Sequence, residues 1–462
     1  MTRSVSISAS VSSLAVAVLL SACGQDSDDA QIDDTAASTG NLDSGVDTAS
    51  GDDSSSGGAD SSASGPAGED TSGGADTGTE AETDADDNTG ADAEPCTLMI
   101  SPGMSFADAF GELSPGEVLC LADGAYSEAM DIPSDITVRA VHDGMAEIDG
   151  GGVLGEEWTG GIVQMHGSNS VVRGLKVHHA GVNADACSID GTNNTMRVMS
   201  CSHGGTHMHK IPLKVTGSGH LIEDSWFYGE GRHITQAFYA TDITFRRVVA
   251  RPGLAVNAPA SEPRTGNVLY STDESLVENA IVLDGRTQSV TRFYHAFSVA
   301  AHNVNGNVNP PANNRWLGNF AINMPNGSDG TFGASGITVD PDSNVGGAGG
   351  RIEDFTVHGA AIGVHILGGA TEYTVEGCSL TQIAGENTII GNIPAPTTTL
   401  TNCNEHGAES PTMRSVDGVK TDELLFPFPN EDLIKRDICA EEERQSDWCL
   451  TDLTLSEYVT GG

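Results

Sequence analysis

Val171-Val172-Arg173-Gly174-Leu175-Lys176-Val177 is followed by Thr195-Met196-Arg197-Val198-Met199-Ser200-Cys201, by Leu221-Ile222-Glu223-Asp224-Ser225-Trp226-Phe227 and by Thr244-Phe245-Arg246-Arg247-Val248-Val249-Ala250. Blocks of the same character continue at Leu276 to Val282, Trp316 to Ile322, Arg351 to Val357 and Thr374 to Leu380. Their third residues are Arg173, Arg197, Glu223, Arg246, Glu278, Gly318, Glu353 and Glu376, so successive steps are 24, 26, 23, 32, 40, 35 and 23 residues. Short apolar segments recurring near every 24 residues, with Gly, Asn and Ser between them, are what the coils of a parallel β-helix require. The fold class expected is therefore all-β, a single right-handed parallel β-helix with short terminal caps.

The stretch ahead of the repeats is of another kind. Arg3 precedes the apolar run Val11 to Leu20, and Leu20-Ser21-Ala22-Cys23 has the form of a lipobox. Residues 1–22 thus read as a lipoprotein signal peptide, leaving Cys23 as an acylated first residue. The apolar run is too short to cross a bilayer, which needs about 20 residues, so anchorage through acyl chains is expected. Residues 24–94 carry 20 Asp and Glu, no Lys or Arg and almost no large apolar side chains. Such a chain cannot bury enough apolar surface to offset its ordering entropy, and residues 23–94 are expected to form a lipidated, disordered acidic linker. A flexible coil of that length reaches roughly 45 Å.

Of the net charge of −44, removing the linker's −20 and the +1 of Arg3 leaves −25 for residues 95–462, which hold 20 Lys and Arg against 45 Asp and Glu. That balance excludes a nucleic-acid partner or an acidic membrane surface. The repeats assign residues 95–410 to the β-helix and 411–462 to a C-terminal cap, where Glu431 to Arg444 has Leu433, Ile434 and Ile438 as an apolar stripe. Ser105 is a plausible N-cap for a short helix in which Phe106 and Phe110 plug the other end. The intervals 251–272 and 284–315, rich in Pro, Asn and Gly, are expected to leave the coils as loops.

Eight cysteines follow Cys23, and eight allow 105 pairings. Cys378 is the fifth residue of its block, and Cys403 falls 25 residues later in the matching block Thr399 to Glu405. Equivalent positions of adjacent coils stack about 4.8 Å apart, so this pair suits a disulfide. Cys96 with Cys120, Cys187 with Cys201 and Cys439 with Cys449 are each spaced to close a local loop.

The opening of the repeat region runs Pro115-Gly116, an apolar strand, Asp123-Gly124-Ala125-Tyr126, a second strand and then Ile148-Asp149-Gly150. It resembles the first coil of the right-handed parallel β-helix, pectin-lyase-like superfamily, chondroitinase B-type and alginate lyase-type enzymes included. The resemblance covers about residues 103–405. It implies polysaccharide as the partner. Where such enzymes are lyases, they neutralise a uronate carboxylate, take the neighbouring proton with a Lys or similar base, and stabilise the intermediate with Arg or calcium.

Residues 171–251 reverse the overall sign, with nine Lys and Arg against six Asp and Glu and seven of the 14 histidines. Lys210 and Arg232 are 22 residues apart, close to one coil. Lys210 or Lys214 as base, Arg232 as charge stabiliser and the adjacent His233 form the candidate catalytic group. His207 and His209 would share a face of an extended segment, for a metal or a sugar. Alternation likewise places Trp226 and Tyr228 on one face, where exposed rings would favour sugars. Asp340, Asp342 and Asn344 have the oxygen spacing of a calcium loop, although Val345 and Arg351 stand where an EF-hand has Gly and Glu. Arg173, Arg197 and Arg246 share a block position with Glu223, Glu278, Glu353 and Glu376, which predicts an exposed ion-pair ladder of little energetic weight.

The sequence contains no Trp-Ile-Asp-His run, Gly-x-Ser-x-Gly or Walker A. The expectation is a monomeric lipoprotein at the outer membrane or surface of a diderm bacterium, touching the membrane only through its lipid and binding polysaccharide. A polysaccharide lyase acting by β-elimination is the alternative, and a structural or adhesive surface protein the second.

Overall fold

Each seven-residue block bends in its middle. In the computed structural model its first three residues form a strand of one sheet, its fourth turns the corner, and the remainder enters the next sheet. The corner requires a left-handed residue: Gly174 has φ +76°, Val198 +52°, Asp224 +51°, Asn279 +51°, Gly318 +65° and Gly377 +74°. Glycine, Asn and Asp reach that region at least cost, hence their recurrence there. This requirement corrects one block. Leu276 pairs with Arg315 and Arg315 with Arg351, so the sixth block begins at Arg315, not Trp316, and Gly318 occupies the corner. The steps on either side are therefore 39 and 36 residues.

The structure describes residues 95–149, 160–179, 184–204, 210–253, 265–284, 295–304, 307–323, 335–340, 347–366, 370–381, 388–390, 398–406, 428–440 and 448–460. The signal peptide, Cys23 and the acidic linker lie outside them. Three parallel sheets make up the β-helix: one of 12 strands from Leu98–Ile100 to Thr399–Thr401, one of 11 from Gly124–Tyr126 to Asn404–His406, and one of 10 from Met130–Ile132 to Thr388–Ile390. The second residue of each block points inward, stacking Val172, Met196, Ile222, Phe245, Val277, Trp316, Ile352 and Val375 in a single buried column. Each such side chain contributes about 1.5–3 kcal/mol relative to exposure. Where strands end, buried side chains complete the ladder: Asn194, Asn314 and Asn319 accept the backbone N–H of Ser170, Ser275 and Ala280 at 2.9, 3.0 and 2.8 Å.

The intervals expected to be loops hold strands as well. Thr265–Tyr270 and His295–Ala300 both belong to the ten-stranded sheet. Their apolar pattern is broken because Asn267 points inward, where its Nδ2 donates to Thr235 Oγ1 at 2.8 Å. The four cysteine pairs anticipated from spacing are all bonded: Cys96–Cys120, Cys187–Cys201, Cys378–Cys403 and Cys439–Cys449.

The ends and outer faces decide where a ligand can sit. Helix α1 (Phe106–Glu112) starts at Ser105, whose hydroxyl accepts the Asp108 N–H, and buries Phe106 stacked on Tyr126 at 5.5 Å. Helix α2 (Glu431–Cys439) does not cap the last coil. With α3 (Leu455–Thr460) it lies on the outside of the eleven-stranded sheet, where Ile434, Ile438, Trp448, Leu455 and Val459 pack with Trp226, Val249, Ile281 and Phe320 in a second apolar core. Two polar contacts pin it: Trp226 Nε1 donates to Asp437 Oδ2 at 2.8 Å, and the fully buried Arg251 pairs with Asp284 at 3.5 Å and donates to Ile438 O at 3.3 Å.

The twelve-stranded sheet carries the ion-pair ladder in the expected order, from Arg173 through Arg197, Glu223 and Arg246 to Glu278. Two of its acids are not exposed, however, although Glu353 is half-buried and Glu376 exposed. Glu223 is 1% and Glu278 3% accessible. Glu223 meets Arg197, Arg247 at 3.6 Å and Arg246 at 3.9 Å, and Arg246 also reaches Glu278 at 2.9 Å. Losing a buried acid leaves several cations without it, so Glu223→Ala should cost about 2–3 kcal/mol in urea unfolding, discounted for the partly exposed arginines. Arg197→Ala, at the exposed end, should cost under about 1 kcal/mol.

Candidate functional site

With one outer face given to the ladder and another to the C-terminal helices, the outside of the ten-stranded sheet is left. Alternation along its strands turns Val163, Leu213, Phe297 and Val364 into the core, and the next residue of each strand away from it. The outward row so formed runs Gln164, Ser188, Lys214, Gln236, Val268, Ser298, Thr338 and His365, one residue per coil.

Lys214 and His233 lie on strands of this sheet, and Lys210 and Arg232 shortly precede those two strands. The register that pairs Leu213 with Thr235 carries Lys210 opposite Arg232, and the backbones touch there: a Cβ on Gly231 would lie 2.4 Å from Lys210 O. Lys214 follows within the strand Leu213–Ser218, its Nζ 5.8 Å from the centre of the Phe238 ring. His233 opens the next strand and pairs with Thr265.

These cations adjoin a carboxyl that the sequence did not single out. Asp185, 3% accessible, opens the preceding strand and accepts the Ile211 N–H at 2.9 Å. Burial pushes its carboxyl up to about 6, against the downward pull of Lys210, that hydrogen bond and Lys214. A carboxyl titrating near neutrality between two ammonium groups is suited to proton transfer.

Further along the face His295 Nδ1 lies 2.7 Å from Ser335 Oγ and 2.9 Å from Thr338 Oγ1, whose hydroxyls are 2.6 Å apart. Burial holds His295 down to about 3, helped by the neighbouring His365, and burial alone holds His365 down to about 4. Both imidazoles are neutral at physiological pH. Neither was evident in the sequence, because their coils are separated by the longest intervals.

Other expected site residues fall elsewhere. Trp226 and Tyr228 are 0% and 7% accessible beneath the C-terminal helices, so they present no ring to a ligand. His207, His209, Asp342 and Asn344 lie outside the described residues, and Asp340 is placed only as the end of strand Ser335–Asp340. Among the described residues no group of three or more His, Cys, Asp or Glu is arranged to hold a metal ion, so calcium has no observed ligand set.

No protein-family model matches this chain, and no curated protein matches it either. Solved structures similar to it include an alginate lyase from Paenibacillus sp. str. FPU-7, with 16% identity, a TM-score of 0.45 and coverage of 67% of this chain and 100% of that one. The mannuronan C-5 epimerase A-module of Azotobacter vinelandii gives 15%, 0.38, 65% and 92%. A pectate lyase gives 14%, 0.34, 68% and 78%.

Proposed function

We propose that the outer face of the ten-stranded sheet binds an acidic, uronate-containing polysaccharide, and that Cys23 and the acidic linker tether this binding surface to the envelope of a diderm bacterium. The reading is supported by the position of Lys210, Lys214 and Arg232 in two adjacent coils, at the start of paired strands of the sheet whose outside, among the described residues, neither the ladder nor the C-terminal helices occupy. In a chain of net charge −44 a cationic cluster of this kind selects anionic ligands locally while the remainder repels them.

A lyase reading is favoured by Asp185. Cations facing a uronate carboxylate would acidify the adjacent C–H; a base takes that proton, the C–H electrons form the C=C bond, and the glycosidic C–O bond breaks with protonation of the leaving oxygen. Asp185, near pH 6, is able to exchange the protons involved.

Titration calorimetry of the mature protein with a panel of polyuronates tests the binding. At least one should bind, with affinity falling about tenfold or more in Lys214→Ala and Arg232→Ala and with added salt. If no acidic polymer binds, the proposal fails. Ultraviolet absorbance of an unsaturated product separates the lyase from the binder.

A further inference from the structure

We infer that Tyr239, with Phe238 and Tyr270, is the platform on which a uronate ring stacks, its carboxylate directed to Lys214. This rests on the polysaccharide reading above and assigns it a ring-binding subsite. The platform is built by a β-bulge. Pairing between Leu213–Ser218 and His233–Thr241 slips between Val215 and Gly217, so that Thr216 faces both Phe238 and Tyr239. Bulges of this kind re-aim side chains and gather beside functional sites.

The backbone of Tyr239 has φ +49°. The left-handed residues near this corner in the two preceding coils are glycines, Gly217 at +84°, which pairs with Ala240, and Gly191 at +77°, while in the next coil Ser271, which follows Tyr270, has φ +51°. A tyrosine there retains a conformation that L side chains disfavour, and it gains only partial burial in return, Tyr239 being 42% accessible. The left-handed corner belongs to the coil, as at Val198 and Ser271; what the fold leaves unused at Tyr239 is its exposed ring.

Its neighbours extend the surface. The Phe238 ring meets Tyr239 edge-on at 4.6 Å and stacks on Tyr270 at 5.6 Å, with both Phe238 and Tyr270 partly exposed. Lys214 Nζ stands 5.8 Å from the Phe238 centroid, placing one positive charge at the platform's border. Aromatic faces receive the C–H face of a pyranose, and an ammonium receives a carboxylate. A sugar acid offers both at once; a neutral sugar or a polyanion without rings offers only one.

The mature protein is titrated with a uronate oligosaccharide and, separately, with polyvinyl sulfate, using wild type, Tyr239→Gly, Tyr239→Phe and Lys214→Ala. Tyr239→Gly should lose about tenfold in affinity for the uronate and keep its affinity for polyvinyl sulfate, while its melting temperature holds or rises because glycine suits the corner. Tyr239→Phe, which keeps the ring, should stay near wild type, and Lys214→Ala should weaken both ligands. If Tyr239→Gly binds the uronate as wild type does and only Lys214→Ala weakens it, the platform is overturned and the cationic reading stands. If Tyr239→Phe loses as much as Tyr239→Gly, ring stacking is overturned. If wild type binds no uronate, both fall.

Discussion

Asp185→Asn should make the protein more stable at neutral pH by about 3 kcal/mol, an order-of-magnitude figure from a carboxyl moved from 3.8 to about 6. The sign follows from linkage. Because the folded-state value is raised, the folded protein holds this proton more tightly than the unfolded chain. The contribution to stability is full below about pH 3.8 and is lost as pH rises through about 6. At pH 7 the wild-type fold therefore bears an ionised carboxylate in a buried site. Asparagine removes that cost and retains the bond from Ile211 N–H, since its side-chain carbonyl can accept at the same 2.9 Å position. Urea unfolding at pH 7 and again below pH 4 checks it: a gain at the first and none at the second. A variant less stable than wild type at pH 7 would mean that Lys210 and Lys214 outweigh burial and that Asp185 is an ion-pair partner. The functional consequence has its own sign. Binding of a polyuronate should hold or tighten, because a negative charge leaves a site for carboxylates, whereas eliminative turnover should fall with the loss of the proton-exchanging group.

The solenoid was legible because its periodicity repeats one physical requirement per coil, an inward apolar residue followed by a corner. It was misread at Trp316 because apolar character alone fixed the alignment there; the left-handed corner at Gly318 sets the register. Three of the disulfides were legible for the same reason that coils were, since cysteines one coil apart or across one coil are brought together by the repeat, and Cys439–Cys449 was legible from its short local spacing. The fate of Trp226 was not. Its cover comes from Asp437, 211 residues away, and no local pattern carries that information. Of the candidate site, Lys210 and Arg232 were found through their one-coil spacing. Asp185 was not, because it is an isolated acid at a strand start, distinguished only by what surrounds it. The bulge at Tyr239 was hidden as well, since an extra residue in a strand leaves no compositional mark.

Acidification should destabilise the β-helix through His295 and His365. Their folded values are depressed, to about 3 and about 4, from an ordinary 6.5. The stability they contribute is therefore present above about pH 6.5 and is lost as pH falls toward those values, because the unfolded chain takes up protons that the folded chain refuses. Between pH 7 and roughly pH 4.5 the two together should cost on the order of 5 kcal/mol, an upper figure because both are partly accessible. Asp185 works in the opposite direction over part of that range and returns about 2 kcal/mol as it regains its proton. The net acid loss in wild type should thus be smaller than in Asp185→Asn, which keeps the histidine term and lacks the compensation. Unfolding free energy measured across this range should show His295→Gln and His365→Asn each removing close to one proton from the slope, and the double variant reversing it, since the opposing Asp185 contribution of about 2 kcal/mol then stands without them. His295→Gln carries a separate penalty at pH 7, since Ser335 and Thr338 lose the ring nitrogen between their hydroxyls, so the slope and not the absolute stability is the diagnostic. An unchanged slope in both single variants would place the acid sensitivity elsewhere, and the imidazoles would then have to be titrating near their ordinary value in the folded protein.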